Sequence, residues 1–294
     1  MDPTTNGTTR VRVADGVSVA VVAGGPLDGA ADGPPVLLVH GLASNARTWE
    51  PVTRRLAHAG HPVAAVDQRG HGHSDKPADG YDFGTLCDDL IGVLDHLGWR
   101  RAVVVGQSTG GNVALELAVR TPERLVAAIG VDGGLIQLAD RWPDWPDCED
   151  ELRPPRIEGR PAREVEGWIR GAHPAWSDEA IDVTMANFEH RADGTVRPWL
   201  DYETHLTILR SLWEHRPSAV LGGLAVPALF VMADTGDAWV ADKRQEAERA
   251  VALSSRVRVE WISPGDHDLH VGQPDELASL LSGFVASVSA ARGG

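Results

Sequence analysis

Cysteine is scarce in this chain, whose 294 residues include only Cys87 and Cys148. Two thiols are too few for a disulfide framework or for a thiolate metal centre. We therefore interpret both as ordinary thiols.

The sequence also lacks long hydrophobic runs and an excess of positive charge. No stretch reaches the roughly 18 consecutive apolar residues of a membrane span, and the first ten residues contain no apolar segment. We therefore expect a cytoplasmic protein. The 42 acidic residues outnumber the 27 basic ones, and the net charge of -15 disfavours nucleic acid and anionic membranes as partners. The oligomeric state stays open.

What the sequence does contain is an alternation of strand-like and helix-like segments. Short apolar runs are typical of strands buried on both faces, and they cover residues 35–39, 62–66, 101–105, 125–131, 227–232 and 257–262. Helical periodicity separates most of them. The pattern predicts an α/β fold with a mostly parallel sheet covered by helices on both faces, preceded by a hairpin that turns at Asp15-Gly16.

The alternation stops between Gly133 and Gly223. We predict a core formed by residues 1–132 and 224–294, and a mainly helical insertion, residues 133–223, which we call the cap segment. Between residues 135 and 220 there are seventeen Asp and Glu but only ten Arg. This acidity suits a solvated surface and is also compatible with a neutral or cationic hydrophobic substrate.

Six of the ten tryptophans lie in the cap segment. We expect Trp168 and Trp213, which have helical spacing and apolar neighbours, to pack inside it. Trp142 and Trp145 lie in a proline-limited loop, so we predict that they bind substrate at the mouth of an aromatic pocket.

A serine motif follows the apolar run that ends at Val105. Ser108 is flanked two residues away on each side by Gly106 and Gly110, and a helical pattern begins directly after it. This arrangement is typical of a nucleophile elbow, a strained turn that exposes a serine hydroxyl. The glycines are needed because a side chain at either position would collide with the neighbouring strand or helix.

A serine hydroxyl needs an imidazole to accept its proton, and the imidazole needs a carboxylate to orient it. His267 lies in the loop after the last predicted strand, at the same sheet edge as Ser108. His270 is the competing histidine, and we interpret it as a packing residue or as part of the wall of the substrate site.

Three carboxylates compete for the orienting role. Asp237 follows the strand of residues 228–232 after one short turn, which gives it room to fold back under the imidazole, so we choose it. Asp234 is the alternative and is close enough to the strand to cap the turn. Asp132 is the third possibility, and we interpret it as a turn residue before Gly133-Gly134.

An acyl-transfer reaction also needs backbone N–H donors for the oxyanion. Thr109 offers one donor directly after the serine. The loop after Val39 begins His40-Gly41-Leu42, and we assign the second donor to the Leu42 amide.

Together these motifs resemble those of the α/β-hydrolase superfamily. The resemblance is carried, over about 260 residues and in the family's order, by His40-Gly41, Asp67-Gln-Arg-Gly-His-Gly-His-Ser74, the 106–110 motif, Gly265-Asp-His267 and Pro274. It implies an eight-stranded, mostly parallel sheet, a helical cap, and the chain order serine, acid, histidine. The chain departs from the family pattern at Ala233, where a glycine is common, and at Gly236, where the acid would fall.

Part of one motif also resembles a metal-binding pattern. His71, His73 and Asp75 match its start, but Lys76 takes the place of the last histidine and its ammonium group would repel a divalent cation. We therefore expect neither a metal nor any other cofactor.

The sequence thus predicts a serine esterase or lactonase that acts on a small hydrophobic ester or lactone through an acyl-serine. Amide or carbon–carbon bond hydrolysis and perhydrolase chemistry use the same residues, and the sequence does not separate them. A non-catalytic ligand receptor is the alternative from another class.

Overall fold

The computed structural model describes residues 8–25, 27 and 33–293. Ten strands occur in this part of the chain: β1 (Thr8–Arg12), β2 (Ser18–Ala23), β3 (Val36–Val39), β4 (Val63–Asp67), β5 (Ala102–Gln107), β6 (Leu125–Val131), β7 (Phe188–His190), β8 (Val196–Pro198), β9 (Ala228–Ala233) and β10 (Val257–Ile262). Eight of them form one sheet in the order β1-β2-β4-β3-β5-β6-β9-β10. The pairs β1–β2 and β2–β4 are antiparallel and the others are parallel.

The α-helices of the described residues are α1 (Glu50–His58), α2 (Phe83–His96), α3 (Thr109–Arg120), α4 (Leu138–Arg141), α5 (Trp145–Leu152), α6 (Ala162–Ala172), α7 (Asp178–Met185), α8 (Tyr202–Glu214), α9 (Pro217–Val220), α10 (Trp239–Leu253), α11 (Leu269–Gly272) and α12 (Pro274–Gly293). This confirms the predicted α/β architecture. The hairpin at Asp15-Gly16 is also confirmed, since both residues have positive φ, 55° and 75°.

The sheet buries a hydrophobic cluster on each face. In β3, Leu37 and Val39 contribute to the cluster that includes residues of α2 and α3, whereas Val36 and Leu38 contribute to the cluster that includes residues of α1 and α12. Because successive side chains of a strand point to opposite faces, a strand covered on both sides must be apolar throughout. This explains the continuous apolar runs in the sequence.

Between β6 and β9 the cap segment forms helices α4 to α9 and an antiparallel hairpin, β7–β8. The hairpin was not expected, because strands of three residues leave no readable alternation. Trp213 is partly buried against the main cluster as expected, but Trp168 is 48% exposed, so the expectation that it packs inside is wrong.

No helix in the described part of the chain is long and apolar enough to cross a membrane. Among the same residues there is no group of three or more His, Cys, Asp and Glu side chains that could hold a metal ion.

The junction of β5 and α3 depends on glycine. A Cβ atom at Gly106 would lie 2.0 Å from the carbonyl oxygen of Gly110 and 2.5 Å from the amide nitrogen of Gly111. We expect Gly106→Ala to lower the free energy of unfolding by at least about 2 kcal/mol, because backbone atoms must move to admit the methyl group. Denaturant titration followed by circular dichroism measures the change.

Gly283→Ala is the matched control for this prediction. Gly283 is exposed in α12 and a Cβ atom there would meet nothing within 4 Å, so the substitution should leave stability unchanged or raise it by up to about 1 kcal/mol. Equal stabilities of the two variants would contradict the close packing described for the junction.

Candidate active site

Ser108 stands between β5 and α3 with φ 51° and ψ -122°, a conformation that non-glycine residues rarely adopt. Its amide donates to the carbonyl of Val131 at 3.0 Å, and its carbonyl accepts from the amide of Gly111 at 2.9 Å. A Cβ atom at Gly110 would lie 2.4 Å from the carbonyl oxygen of His40. The turn therefore has the strained geometry expected of a nucleophile elbow.

Two further glycines approach Ser108 from neighbouring loops. A Cβ atom at Gly133 would lie within 2.6 Å of the Ser108 backbone, and one at Gly41 would lie 3.0 Å from the Ser108 Cβ. The backbones after β3 and β6 can therefore pack directly against the serine.

The structure brings His267 to a carboxylate, but this carboxylate belongs to Asp132. The ring Nδ1 of His267 lies 2.6 Å from Asp132 Oδ2, and the Asp132 side chain is fully buried. Because an ionised carboxylate can only accept, His267 donates its Nδ1–H and keeps Nε2 as an acceptor. The expectation that Asp237 lies beside the imidazole is wrong, and so is the interpretation of Asp132 as a mere turn residue.

The carboxylates of Asp237 and Asp234 form hydrogen bonds with groups other than His267. Asp237 is exposed and its Oδ1 accepts from the Trp239 amide at 2.9 Å, at the start of α10. Asp234 Oδ2 accepts from the Ser263 hydroxyl at 3.2 Å and lies 3.5 Å from Arg244. The loop after β9 leads into α10 without turning either carboxylate toward His267.

Two further donors hold the Asp132 carboxylate. The Ala233 amide donates to Oδ1 at 2.9 Å, and Lys243 Nζ donates to Oδ2 at 2.7 Å. Burial alone would raise the pKa of Asp132, but the hydrogen bond and charge of His267 and the charge of Lys243 outweigh it, so its pKa is lowered. The site thus keeps Asp132 ionised.

Burial would lower the pKa of His267, but its bond to Asp132 and the charges of Asp268 and Asp132 outweigh burial and raise it. The charge of Lys243 acts in the opposite direction. Gln107, next to the serine, fixes the histidine loop: its Nε2 donates to the His267 carbonyl at 3.3 Å and to Asp268 Oδ1 at 3.2 Å. Sequence reasoning missed both, since Lys243 belongs to no recognised motif and Gln107 occupies one of the unspecified positions of the 106–110 motif.

Ser108, Asp132 and His267 line one cavity of about 490 Å³, together with Leu42 and Thr109. The amides of Leu42 and Thr109 donate no hydrogen bond to any residue that the structure describes. Both predicted oxyanion donors therefore belong to residues at the cavity wall beside the serine.

The remaining cavity wall has an apolar part and a charged part. The apolar part comprises Leu135, Ile136, Leu138, Leu152, Leu209, Leu212, Met232 and Trp239. The charged part comprises Asp140, Arg141, Asp237, Asp242, Lys243, Glu246 and Arg249.

Three residues expected to bind substrate do not line this cavity. His270 is only 1% exposed, its ring packs 4.6 Å from that of Trp49, and burial lowers its pKa to about 3. It is a packing histidine. Trp142 and Trp145 pack against Trp239 and Trp213, with ring centroids 5.4 and 5.9 Å apart. Their predicted place at the pocket mouth is wrong, because each packs against another tryptophan and neither lines the cavity.

The residues of the metal-like pattern build the loop after β4 instead. Asp67 accepts from the amides of Ala46 and His73, at 2.7 and 2.8 Å. Arg69 forms two hydrogen bonds with Asp89, both side chains being buried, at 2.6 and 2.7 Å. These bonds give the segment a structural role as the turn that follows β4.

Comparison with known proteins gives the same fold. The model of the α/β-hydrolase fold family matches residues 34–274. A relative from Mesorhizobium japonicum, 2-(acetamidomethylene)succinate hydrolase, is 26% identical over 264 residues, which span 86% of this chain and 88% of the relative.

Two solved structures superpose on nearly the whole chain. The crystal structure of E-2-(acetamidomethylene)succinate hydrolase gives a TM-score of 0.77 at 23% identity and covers 95% of this chain and 98% of its own. The crystal structure of the enol-lactonase from Burkholderia xenovorans gives a TM-score of 0.71 at 20% identity. It covers 95% of this chain and 100% of its own. At such identities the structural likeness concerns the fold alone. Because the family model spans most of the sequence, the chain belongs to the α/β-hydrolase fold family.

Proposed function

We propose that the protein is a serine hydrolase that cleaves a carboxylic ester or lactone through an acyl-serine intermediate. One observation carries the proposal: a strained serine and a histidine whose Nδ1 is held by a buried carboxylate line the same cavity. The combination supplies a nucleophile, a base and an orienting acid.

In the proposed reaction Ser108 Oγ attacks the substrate carbonyl carbon while Nε2 of His267 takes the hydroxyl proton. Asp132 stabilises the resulting imidazolium, and the amides of Leu42 and Thr109 bind the oxyanion. The imidazolium then protonates the departing alkoxide. His267 then deprotonates a water molecule, which attacks the acyl-serine; the acyl–oxygen bond breaks, the imidazolium returns the proton to Ser108 Oγ, and the acid is released.

Amide hydrolysis is the second candidate, and one observation favours it. The relative from Mesorhizobium japonicum, which aligns with most of this chain, is a hydrolase of an acetamido-substituted succinate. The same residues would serve, with His267 protonating an amine instead of an alkoxide. Turnover of a matched ester and amide pair compares the two candidates.

The nucleophile is tested by covalent labelling. We expect a fluorophosphonate to modify Ser108, detected by mass spectrometry of peptides, and Ser108→Ala to lower turnover of short p-nitrophenyl esters at least about 10³-fold. An unmodified Ser108 in protein that hydrolyses these esters would overturn the proposal. Esters that bind to the folded protein without turnover would indicate a receptor.

The carboxylate is tested by a matched pair of substitutions. Asp132→Asn removes the charge beside His267, so we expect kcat to fall about 10³- to 10⁴-fold, whereas Asp237→Asn should change it less than about threefold. Stopped-flow or steady-state ester hydrolysis at pH 8 measures both, with circular dichroism to check folding. The reverse ranking would restore Asp237 as the orienting acid.

A further inference from the structure

One face of α10 forms the charged part of the cavity wall. Glu246 comes four residues after Asp242, three after Lys243 and three before Arg249, so these four residues lie on the same side of the helix. The short helix α4 and Gln137 before it contribute to the same part of the wall.

Every cation on this wall already has a carboxylate partner. Arg141 pairs with Asp242 at 2.6 Å and Arg249 with Asp140 at 2.7 Å. Lys243 pairs with Asp132. Both arginines therefore already form ion pairs, and an anionic substrate would have to displace a carboxylate to bind either arginine.

Glu246 is the exception among the partly buried acids of the wall. No Lys, Arg or His of the described residues lies within ion-pair distance of its carboxylate, although Glu246 lines the cavity and is partly buried. In total the wall has five carboxylates (Asp132, Asp140, Asp237, Asp242 and Glu246) but only three Lys and Arg cations. A substrate ammonium group would supply the missing partner, whereas a substrate carboxylate would be repelled.

We propose that Glu246 makes the cavity selective for esters or lactones that carry a positively charged ammonium group, and against those that carry a carboxylate. The proposal rests on the proposed hydrolase function and adds the charge class of its substrate. It separates this protein from its relative from Mesorhizobium japonicum, whose named substrate is a succinate.

The protonation of Glu246 gives the selectivity a pH dependence. Burial, together with the charges of Asp242 and Asp140, raises the pKa of Glu246 to about 7, although the hydrogen bond from the Gln137 amide and the charge of Arg249 act in the opposite direction. Above this pH the side chain is a carboxylate and attracts a cation; below it the side chain is neutral. The preference for a cationic ester should therefore strengthen as the pH rises through 7.

The test uses three p-nitrophenyl esters of equal length that end in trimethylammonium, tert-butyl or carboxylate. At pH 8 we expect the wild-type kcat/KM to rank them in that order. Glu246→Gln should reduce the cationic-to-neutral ratio about tenfold and leave the neutral ester within about twofold, and Glu246→Lys should favour the carboxylate ester. Glu248→Gln, which removes an exposed carboxylate of α10 that does not line the cavity, is the matched control and should shift the ratio less than about twofold.

A ratio that Glu246→Gln leaves unchanged, or a wild-type preference for the carboxylate ester, would overturn the proposal. The hydrolase function fails separately, if the neutral ester is still cleaved when Ser108 is replaced by alanine.

A second inference concerns Lys243, and a different observation carries it. Lys243 Nζ and His267 Nδ1 approach the same oxygen of Asp132, at 2.7 and 2.6 Å, and Nζ also donates to the Ala233 carbonyl at 3.1 Å. The Lys243 side chain is only 14% exposed. We infer that Lys243 is a positioning residue that fixes the Asp132 carboxylate and limits the negative charge that this carboxylate presents to His267.

The pH profile of kcat/KM on the neutral ester tests this role. The charged groups around His267 are Asp132, Asp268 and Lys243. Lys243→Gln keeps a donor but removes the positive charge, so the pKa of His267 should rise and the acidic limb of the profile should move to higher pH by about half a unit or more. Lys243→Arg keeps the charge and should leave the limb in place.

A merely structural role predicts a different result, a fall in kcat/KM at every pH without a shift of the limb. That result, or a shift to lower pH, would overturn the inference. Nuclear magnetic resonance of the His267 ring follows the same titration in a variant that is too slow for kinetics.

Discussion

The candidate site depends on one buried carboxylate. Asp132 receives the His267 imidazole, the Lys243 ammonium and the Ala233 amide, which belong to the loop after β10, to α10 and to β9. Burying a carboxylate away from water is unfavourable unless its oxygens accept hydrogen bonds from the protein. These elements can therefore pack around Asp132 only when their hydrogen-bond donors are in place. The network therefore couples the packing of three segments to the geometry of the proposed base.

Sheet register explains why the serine and this carboxylate meet. Gln107 at the end of β5 pairs with Val131 at the end of β6, and Ser108 and Asp132 are the next residues on each strand. Both have positive φ, which turns each chain away from the sheet at the same edge. Gly133 then lets the loop after β6 lie directly against the serine backbone.

The sequence predicted the sheet well, because the sheet follows from local signals, and local signals also marked the serine and the histidine as candidates. Apolar runs define strands, and glycines at fixed spacing mark the turn around Ser108. The carboxylate was harder, since Asp132 and Asp237 both satisfy the chain order serine, acid, histidine. The chain departs from the family pattern at Ala233 and Gly236, and this departure was the one sequence signal against an acid in the loop after β9. The places of Trp142 and Trp145 were not predictable locally, because Trp239, the partner of Trp142, comes from a helix about a hundred residues away.

The carboxamide of Gln107 has a consequence for engineering this molecule. It joins the residue before the serine to the backbone and side chain of the histidine loop. One side chain thus links the proposed nucleophile to the loop of the proposed base, and a transplanted loop spanning residues 263–273 would need acceptors at the same two points. Redesign of the cavity is better confined to α4 and to residues of α10 other than Lys243, because Lys243 holds the Asp132 carboxylate.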